Sequence, residues 1–416
     1  MTRRPRAKQE RGRSLVGERY EVEAGPVAHG GFVVARHEGR VVFVRHALPG
    51  ERVVVEVTEG EEHSKFLRGD AVSVLTASAD RVEAPCPFAG PGACGGCDFQ
   101  HVALPAQREL KAAVVREQLS RLAGLDVPVT VEAVPGEDDG LGWRTRLQYA
   151  VDGSPAGTPR VGLRKHRSHE IVEVDRCRIG HPDLPRPGGP GLPEGAVAVE
   201  AIVSAAGEQL TLVTTADDRV FADGPTELHE HAAGRDFTVT GSGFWQVHPG
   251  AADVLVDAVL QGLQVRPGER GIDLYSGVGL FSAALGEAVG VTGRVLAVES
   301  DPDATEDALA NLADLPQVEP LADRVDRALR RGSLGDQADV VVLDPPRTGA
   351  KKDVVAGIVA LAPRAVAYVA CDPAALARDL ATFAEHGYRL SSLRAFDLFP
   401  MTSHVECVAL LEKTGL

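Results

Sequence analysis

From about residue 250 onward, short apolar runs alternate with stretches in which apolar residues recur at helical spacing. This alternation constrains the chain more than any other feature. A strand can return beside its predecessor in the same direction only through a crossover, and a helix is the usual crossover. The expected order begins with helix Ala251–Leu263, strand Gly271–Leu274, a glycine turn and helix Leu280–Ala288. Strand Arg294–Val298, helix Asp303–Leu312, strand Asp339–Leu343 and helix Lys352–Leu361 follow. Strand Ala365–Ala370, helix Ala374–Glu385 and a closing strand His404–Leu411 complete it. The pattern predicts a doubly wound α/β sheet, and in such sheets ligands bind at the carboxyl edge of the strands.

The first half reads differently. Val-rich runs at Val33–Ala35, Arg40–Val44 and Arg52–Val57 are separated by turn residues such as His29-Gly30-Gly31 and Pro49-Gly50-Glu51. Short strands at this spacing predict a small barrel over residues 14–76. A cysteine-rich loop follows, and then Leu110, Val114, Val115, Leu119 and Leu122 fall on one helical face within Pro105–Leu122. Residues 141–240 are β-rich and are interrupted by a Pro- and Gly-dense loop from His181 to Glu194.

Three units are therefore expected after a disordered basic tail at 1–13: a barrel at 14–76, a central β-rich unit at 77–240 and an α/β domain at 241–416. The tail is followed by no apolar stretch, so it is not a secretory signal. No apolar run is long enough to span a bilayer. The protein is expected to be cytoplasmic and monomeric, with no membrane partner. The 416 residues carry a formal net charge of −15, which by itself argues against a nucleic-acid partner. Basic residues nevertheless gather between Trp143 and Arg178, and distribution outweighs the sum. A basic surface of Arg144, Arg146, Arg164, Lys165 and Arg167 is expected there.

Three strand ends carry candidate site residues. The first leads into Asp273-Leu-Tyr275-Ser-Gly277-Val-Gly279, a turn whose glycines let a ligand approach the backbone. The next ends in Glu299, suited to a ribose diol. The dinucleotide fingerprint G-x-G-x-x-G is incomplete, because position 282 is Ser. A third strand leads into Asp344-Pro345-Pro346-Arg347, a rigid turn at the same edge. Enzymes that methylate amino groups carry an aromatic residue where Arg347 stands.

Strand Ala365–Ala370 delivers Cys371 to this edge. Asp372 can cap the following helix and Pro373 suits its first turn. A cysteine beside a helix N-terminus is expected to favour the thiolate. Such a thiolate can activate a carbon that is otherwise a poor nucleophile. Uracil C5 becomes enolate-like once sulfur has added to C6, and it then attacks a methyl donor. A base must remove the C5 proton before the sulfur can leave. Glu406, a carboxylate in a strand of a sheet buried on both faces, is the candidate. Cys407 alternates away from it and belongs to the core.

The other four cysteines, Cys86, Cys94, Cys97 and Cys177, suit one metal centre. Cys94-Gly-Gly-Cys97 is a tight pair with Cys86 just upstream. Four thiolates fit either a [4Fe–4S] cluster or zinc, and spacing does not choose. The C-x3-C-x2-C pattern of radical chemistry is absent.

Taken together these residues resemble the S-adenosylmethionine (SAM)-dependent RNA uracil-5-methyltransferases, in particular the iron–sulfur branch that acts on 23S ribosomal RNA. The resemblance covers nearly the whole chain after the tail. It implies that the barrel, with Gly30-Gly31 and Leu48-Pro-Gly-Glu51, is a TRAM domain, an OB-like RNA-binding module. It implies a [4Fe–4S] cluster on Cys86, Cys94, Cys97 and Cys177. Phe244-Trp-Gln246-Val247 is similar to the family's Phe-Gln-Val motif, which implies that Gln246 contacts SAM, joined by Tyr275, Gly277, Gly279, Glu299 and Asp344. Tyr368-Val-Ala-Cys371-Asp-Pro-Ala resembles the nucleophile motif and His404-Val-Glu406-Cys the general-base motif. The chain departs from the pattern at three places. Asp372 stands where relatives often have Asn, and its charge is expected to disfavour a nearby thiolate. His248 follows Gln246-Val247 in place of Asn. Leu280 replaces an Asn that can touch SAM. The expected partner is RNA, with ribosomal RNA favoured and tRNA the alternative. A non-catalytic iron–sulfur RNA-binding protein and a nicotinamide oxidoreductase are the readings from other classes.

Overall fold

The computed structural model describes residues 12–136, 139–152, 159–188 and 191–415. The basic tail expected over 1–13 lies outside these residues up to position 11. Among the described residues, no helix is long and apolar enough to cross a membrane.

The carboxyl half builds an eight-stranded sheet. In spatial order its strands are Val318–Ala322, Arg294–Glu299, Arg270–Leu274, Val340–Leu343, Ala365–Ala370, Glu406–Lys413, Tyr388–Phe396 and Val131–Glu132. The five strands from Val318–Ala322 to Ala365–Ala370 run parallel. Glu406–Lys413 is antiparallel to both of its neighbours, slotted between them. Strands Val340–Leu343 and Ala365–Ala370 are buried at every position, as both-face coverage by helices demands.

The helix and strand order expected from the alternation is present. Helix Ala251–Leu263 and strand Ala365–Ala370 have the predicted bounds. The closing strand starts at Glu406 rather than His404, because residues 400–404 form a turn packed on the cysteine loop. Strands Val318–Ala322, Tyr388–Phe396 and Val131–Glu132 complete the sheet, and helix Val325–Arg331 packs beside it.

Residues 14–76 form a six-stranded sheet in the order Arg19–Glu23, Arg52–Glu59, Phe66–Thr76, Arg40–Arg45, Phe32–His37 and Val27–Ala28. Its interior is filled by valines such as Val33, Val42, Val44, Val53 and Val55, each at most 1 % exposed. The central antiparallel sheet runs Ile171–Glu173, Arg160–Arg164, Arg146–Asp152, Ala196–Val203, Gln209–Thr215 and Val220–Asp223.

Two segments placed by sequence in the central unit pack instead on the carboxyl domain. Helix Leu104–Ala123 buries Ala112, Val115 and Leu119 in the core that contains Tyr368, Leu376 and Phe383. Its buried Lys111 donates to Asp397 and to the Phe399 carbonyl. The hairpin Glu227–Ala232 and Arg235–Thr240 covers helix Pro302–Asn311, with Phe237 and Val239 in the second core. An amphipathic face shows in the sequence, but the surface that covers it does not.

Candidate active site

Four residues converge at the carboxyl edge of the parallel strands. In the antiparallel ladder between Ala365–Ala370 and Glu406–Lys413, Ala370 pairs with Cys407. The chain ends carrying Cys371 and Glu406 therefore emerge side by side, while Cys407 points into the core and is fully buried. Asp344 and Arg347 follow the neighbouring strand Val340–Leu343.

Glu406 is 5 % exposed. Burial and the Asp344 carboxylate raise its pKa well above the usual range, and Arg347 opposes them. The Cys371 thiol is likewise pushed up to about 12 by burial, Glu406 and Asp344, again against Arg347. This overturns the expected effect of the helix N-terminus. Desolvation and two carboxylates outweigh a half-charge dipole. Asp372 caps helix Pro373–Glu385 as predicted, its Oδ1 accepting from the Ala375 amide at 2.7 Å.

The glycine turn and the Gln246 segment enclose a cleft lined by Gln246, Tyr275, Gly277, Leu280, Phe281 and Asp344. Gly277 has φ +53° and open space where a β-carbon would lie. Its amide donates to Glu299 Oε2 at 3.0 Å, and Glu299 Oε1 accepts from Asp301 at 2.8 Å. Leu280 is buried at the helix start and offers no polar contact. His248 is also buried, with Nδ1 accepting from the Gly250 amide at 3.1 Å and its ring stacked on Trp143. It therefore organises its own turn.

Among the described residues, no ion pair engages Asp344, which lines the cleft, or the nearby Asp273. Asp344 is pushed up to about 7 by burial and Asp273. Asp273 is fully buried, accepts from Ser282 Oγ at 2.6 Å, and is raised to about 7 by burial. Its Oδ1 has no hydrogen-bond partner among the described residues. A cleft with surplus negative charge fits a positively charged ligand such as a sulfonium with an α-amino group.

Asp379 braces this edge. Its Oδ2 accepts from Tyr368 Oη and from the Ala350 amide, both at 2.7 Å. One carboxylate thus ties strand Ala365–Ala370 and helix Pro373–Glu385 to the loop that holds Asp344 and Arg347. Asp379 belongs to no sequence motif, and the sequence alone gives Arg347 no role at the site. The apolar surroundings of Asp379 on helix Pro373–Glu385 were the available signal.

Cys86, Cys94, Cys97 and Cys177 line one cavity of roughly 460 Å³. Burial and the neighbouring thiols raise Cys94 and Cys177, and push Cys97 up to about 12. Backbone and side-chain donors reach these sulfurs, among them Gln100 Nε2 to Cys97 at 3.4 Å. Among the described residues, no group of three or more His, Cys, Asp or Glu is arranged to hold a metal ion.

The expected basic surface needs correction. Arg146 is buried and donates to the Gly243 carbonyl, while Arg144 donates to the Arg146 carbonyl at 2.9 Å. Lys165 pairs with Glu170, and Arg167 with Glu59 at 3.3 Å. Arg164 and Arg167 remain exposed. Arg146 lies on the face opposite Leu147, Tyr149 and Val151 and is buried there against Gly243.

The family described as TRAM domain matches residues 13–72, and the family described as tRNA (Uracil-5-)-methyltransferase matches residues 327–414. A protein of Streptomyces coelicolor described as an uncharacterized RNA methyltransferase is 49 % identical, over 96 % of this chain and 94 % of its own. Another of that description from Bifidobacterium longum is 38 % identical, over 94 % and 96 %. The fold is similar to that of the Pyrococcus abyssi tRNA (uracil-54, C5)-methyltransferase solved with S-adenosyl-L-homocysteine. That likeness has a TM-score of 0.68 at 22 % identity and covers 94 % of this chain and 99 % of that one. With a TRAM barrel in front, a Rossmann-like domain behind and full-length RNA methyltransferase relatives, the chain belongs to the SAM-dependent RNA uracil-5-methyltransferase family.

Proposed function

We propose that the protein methylates C5 of a specific uridine in structured RNA, with Cys371 as nucleophile and Glu406 as general base. The observation that carries this reading is the ladder register, which brings Cys371 and Glu406 together beside Asp344 and Arg347. Cys371 Sγ loses its proton to solvent and bonds to C6, and the C5–C6 π electrons move onto C5. SAM, which Gln246, Tyr275, Gly277, Gly279, Glu299 and Asp344 would hold, would supply the methyl group to C5 and leave as the neutral thioether. Glu406 then accepts the C5 proton as the C6–S bond breaks, so the nucleophile is regenerated. Arg347 stabilises the thiolate and the charge that develops on the uracil ring. The two faces of the base must both be reached, so the uridine is extruded from its stack.

Cys86, Cys94, Cys97 and Cys177 would hold the [4Fe–4S] cluster. Four cysteines lining one cavity supply the thiolate donor set that such a cluster takes. Its part is to hold the cysteine loop in shape, because the methylation needs no redox step. The cysteine set favours 23S ribosomal RNA as substrate. The similarity to the Pyrococcus abyssi enzyme along nearly its whole length favours tRNA as the second reading.

The test is trapping with 5-fluorouridine-substituted RNA and SAM. Fluorine at C5 cannot leave as a proton, so the expected product is a denaturant-resistant protein–RNA band, absent from Cys371→Ala. Parallel ribosomal and transfer RNA transcripts assign the substrate. A band that survives Cys371→Ala overturns the nucleophile, and SAM binding without a band on either RNA overturns the substrate class.

A further inference from the structure

The turn at residues 29–31 of the barrel reaches into the active site of the other domain. His29 Nε2 lies 3.1 Å from Asp372 Oδ2, with the two side chains 46 % and 23 % exposed. Asp372 follows the nucleophile directly, and its other oxygen caps the nucleophile helix at Ala375. Two residues beyond His29, Gly31 packs on the segment leading to Glu406. A β-carbon there would meet Ser403 Cβ at 2.8 Å and Asp98 Cβ at 3.1 Å, and its φ of +78° also favours glycine. Ser403 is itself fixed, its amide and hydroxyl donating to Asp98 Oδ2 at 3.1 and 2.8 Å. Barrel residue Arg45 donates to Asp98 Oδ1 at 3.3 Å.

We propose that His29 is a positioning residue for the nucleophile: paired with Asp372, it fixes the Cys371 turn against the barrel and so links barrel docking to the reactivity of Cys371. The inference rests on the reading of Cys371 as nucleophile. It also answers the departure at Asp372. That carboxylate is engaged by a helix amide and by His29, and it does not stand as a free charge against the sulfur. An Asn could keep the cap, but it would draw no charge from His29.

The charged groups facing His29 are Asp372 and Arg378 from the nucleophile helix and Glu117 from helix Leu104–Ala123. The hydrogen bond to Asp372 raises the imidazole's pKa, against burial. A raised pKa means that the charged pair is fully formed below the ordinary histidine range and is lost as pH rises through the folded value.

The test uses the full-length protein and two readouts: the rate of the 5-fluorouridine RNA adduct with SAM, and the rate of iodoacetamide labelling at Cys371 read by peptide mass. For a half-exposed pair, His29→Ala is expected to change both rates by about two- to fivefold near pH 6.5. The effect should shrink towards none by about pH 9. His29→Gln should restore part of the rate without the pH dependence. In the Asp372→Asn background, adding His29→Ala should change nothing further. Equal rates for wild type and His29→Ala at every pH, or multiplying effects in the double variant, overturn the proposal. If wild type forms no Cys371-dependent adduct, the nucleophile reading fails, and the labelling rates still decide the role of His29.

Discussion

Cys371 is held as a thiol by the surroundings that make it useful. Burial and two carboxylates keep it protonated, opposed by the Arg347 charge and by a backbone hydrogen bond. Two expectations follow for the free enzyme. Labelling of Cys371 should accelerate with pH, close to tenfold per unit between pH 7 and 9, because the thiolate fraction grows towards a pKa near 12. Arg347→Ala should slow labelling by roughly tenfold, since one pKa unit is a tenfold change in thiolate. A flat pH profile would mean that Cys371 is already ionised. Much of this site was legible in the sequence, since Cys371, Asp344 and the glycine turn each follow a strand end that the periodicity locates. The expected low pKa of Cys371 was not, because the helix dipole is local in sequence while Glu406 and Asp344 arrive through the fold. His29 on Asp372 and Asp98 on Ser403 are likewise pairings between distant segments that no local pattern records.

At the scale of elements, the apolar alternation announced strands Val340–Leu343 and Ala365–Ala370 because both are covered on two faces. Strand Val318–Ala322 escaped because it holds Glu319 and Pro320 at the sheet edge. Strand Tyr388–Phe396 escaped because Arg389, Ser391 and Ser392 interrupt its apolar positions. Two buried polar groups hold the elements together and can be tested. Asp379→Ala leaves the Tyr368 hydroxyl without its acceptor and the Ala350 amide with only the Tyr368 oxygen at 3.1 Å. It should lower unfolding free energy by about 2–4 kcal/mol in denaturant melts. Lys111→Met leaves Asp397 buried without its cation, since both side chains are 0 % exposed. A loss of about 3–5 kcal/mol is expected, and Asp397→Asn in the same background should recover much of it.

For the molecule as a whole, the cysteine loop is tied to the chain that leads into Glu406. The amides of Asp98 and Phe99 both donate to the Met401 carbonyl, at 3.0 and 2.9 Å, and Gln107 accepts from the Met401 amide at 2.8 Å. Residues 400–404 lead straight into Glu406. If the four cysteines hold the proposed centre, its removal by a chelator, like Cys97→Ser, should speed hydrogen exchange at Met401 to Glu406 before the sheet itself opens. Unchanged exchange there would separate the cysteine site from the base. RNA binding belongs to this scale as well. Arg164→Ala with Arg167→Ala should weaken RNA binding at low salt and reduce its salt dependence.

Helix Leu104–Ala123 and strand Val131–Glu132 cover a sheet whose remaining strands lie between residues 270 and 413. During synthesis the helix leaves the ribosome with Val115 and Leu119 uncovered, well before their partners Tyr368 and Phe383 exist. The newborn amino-terminal half must therefore carry an unsatisfied apolar face until translation is nearly finished, and it becomes a client for chaperones over that interval. The catalytic half pays in the complementary way. Released alone from residue 241, it would expose the groove that this helix fills, so the methyltransferase core can be inherited, exchanged or expressed only together with the segment made before it.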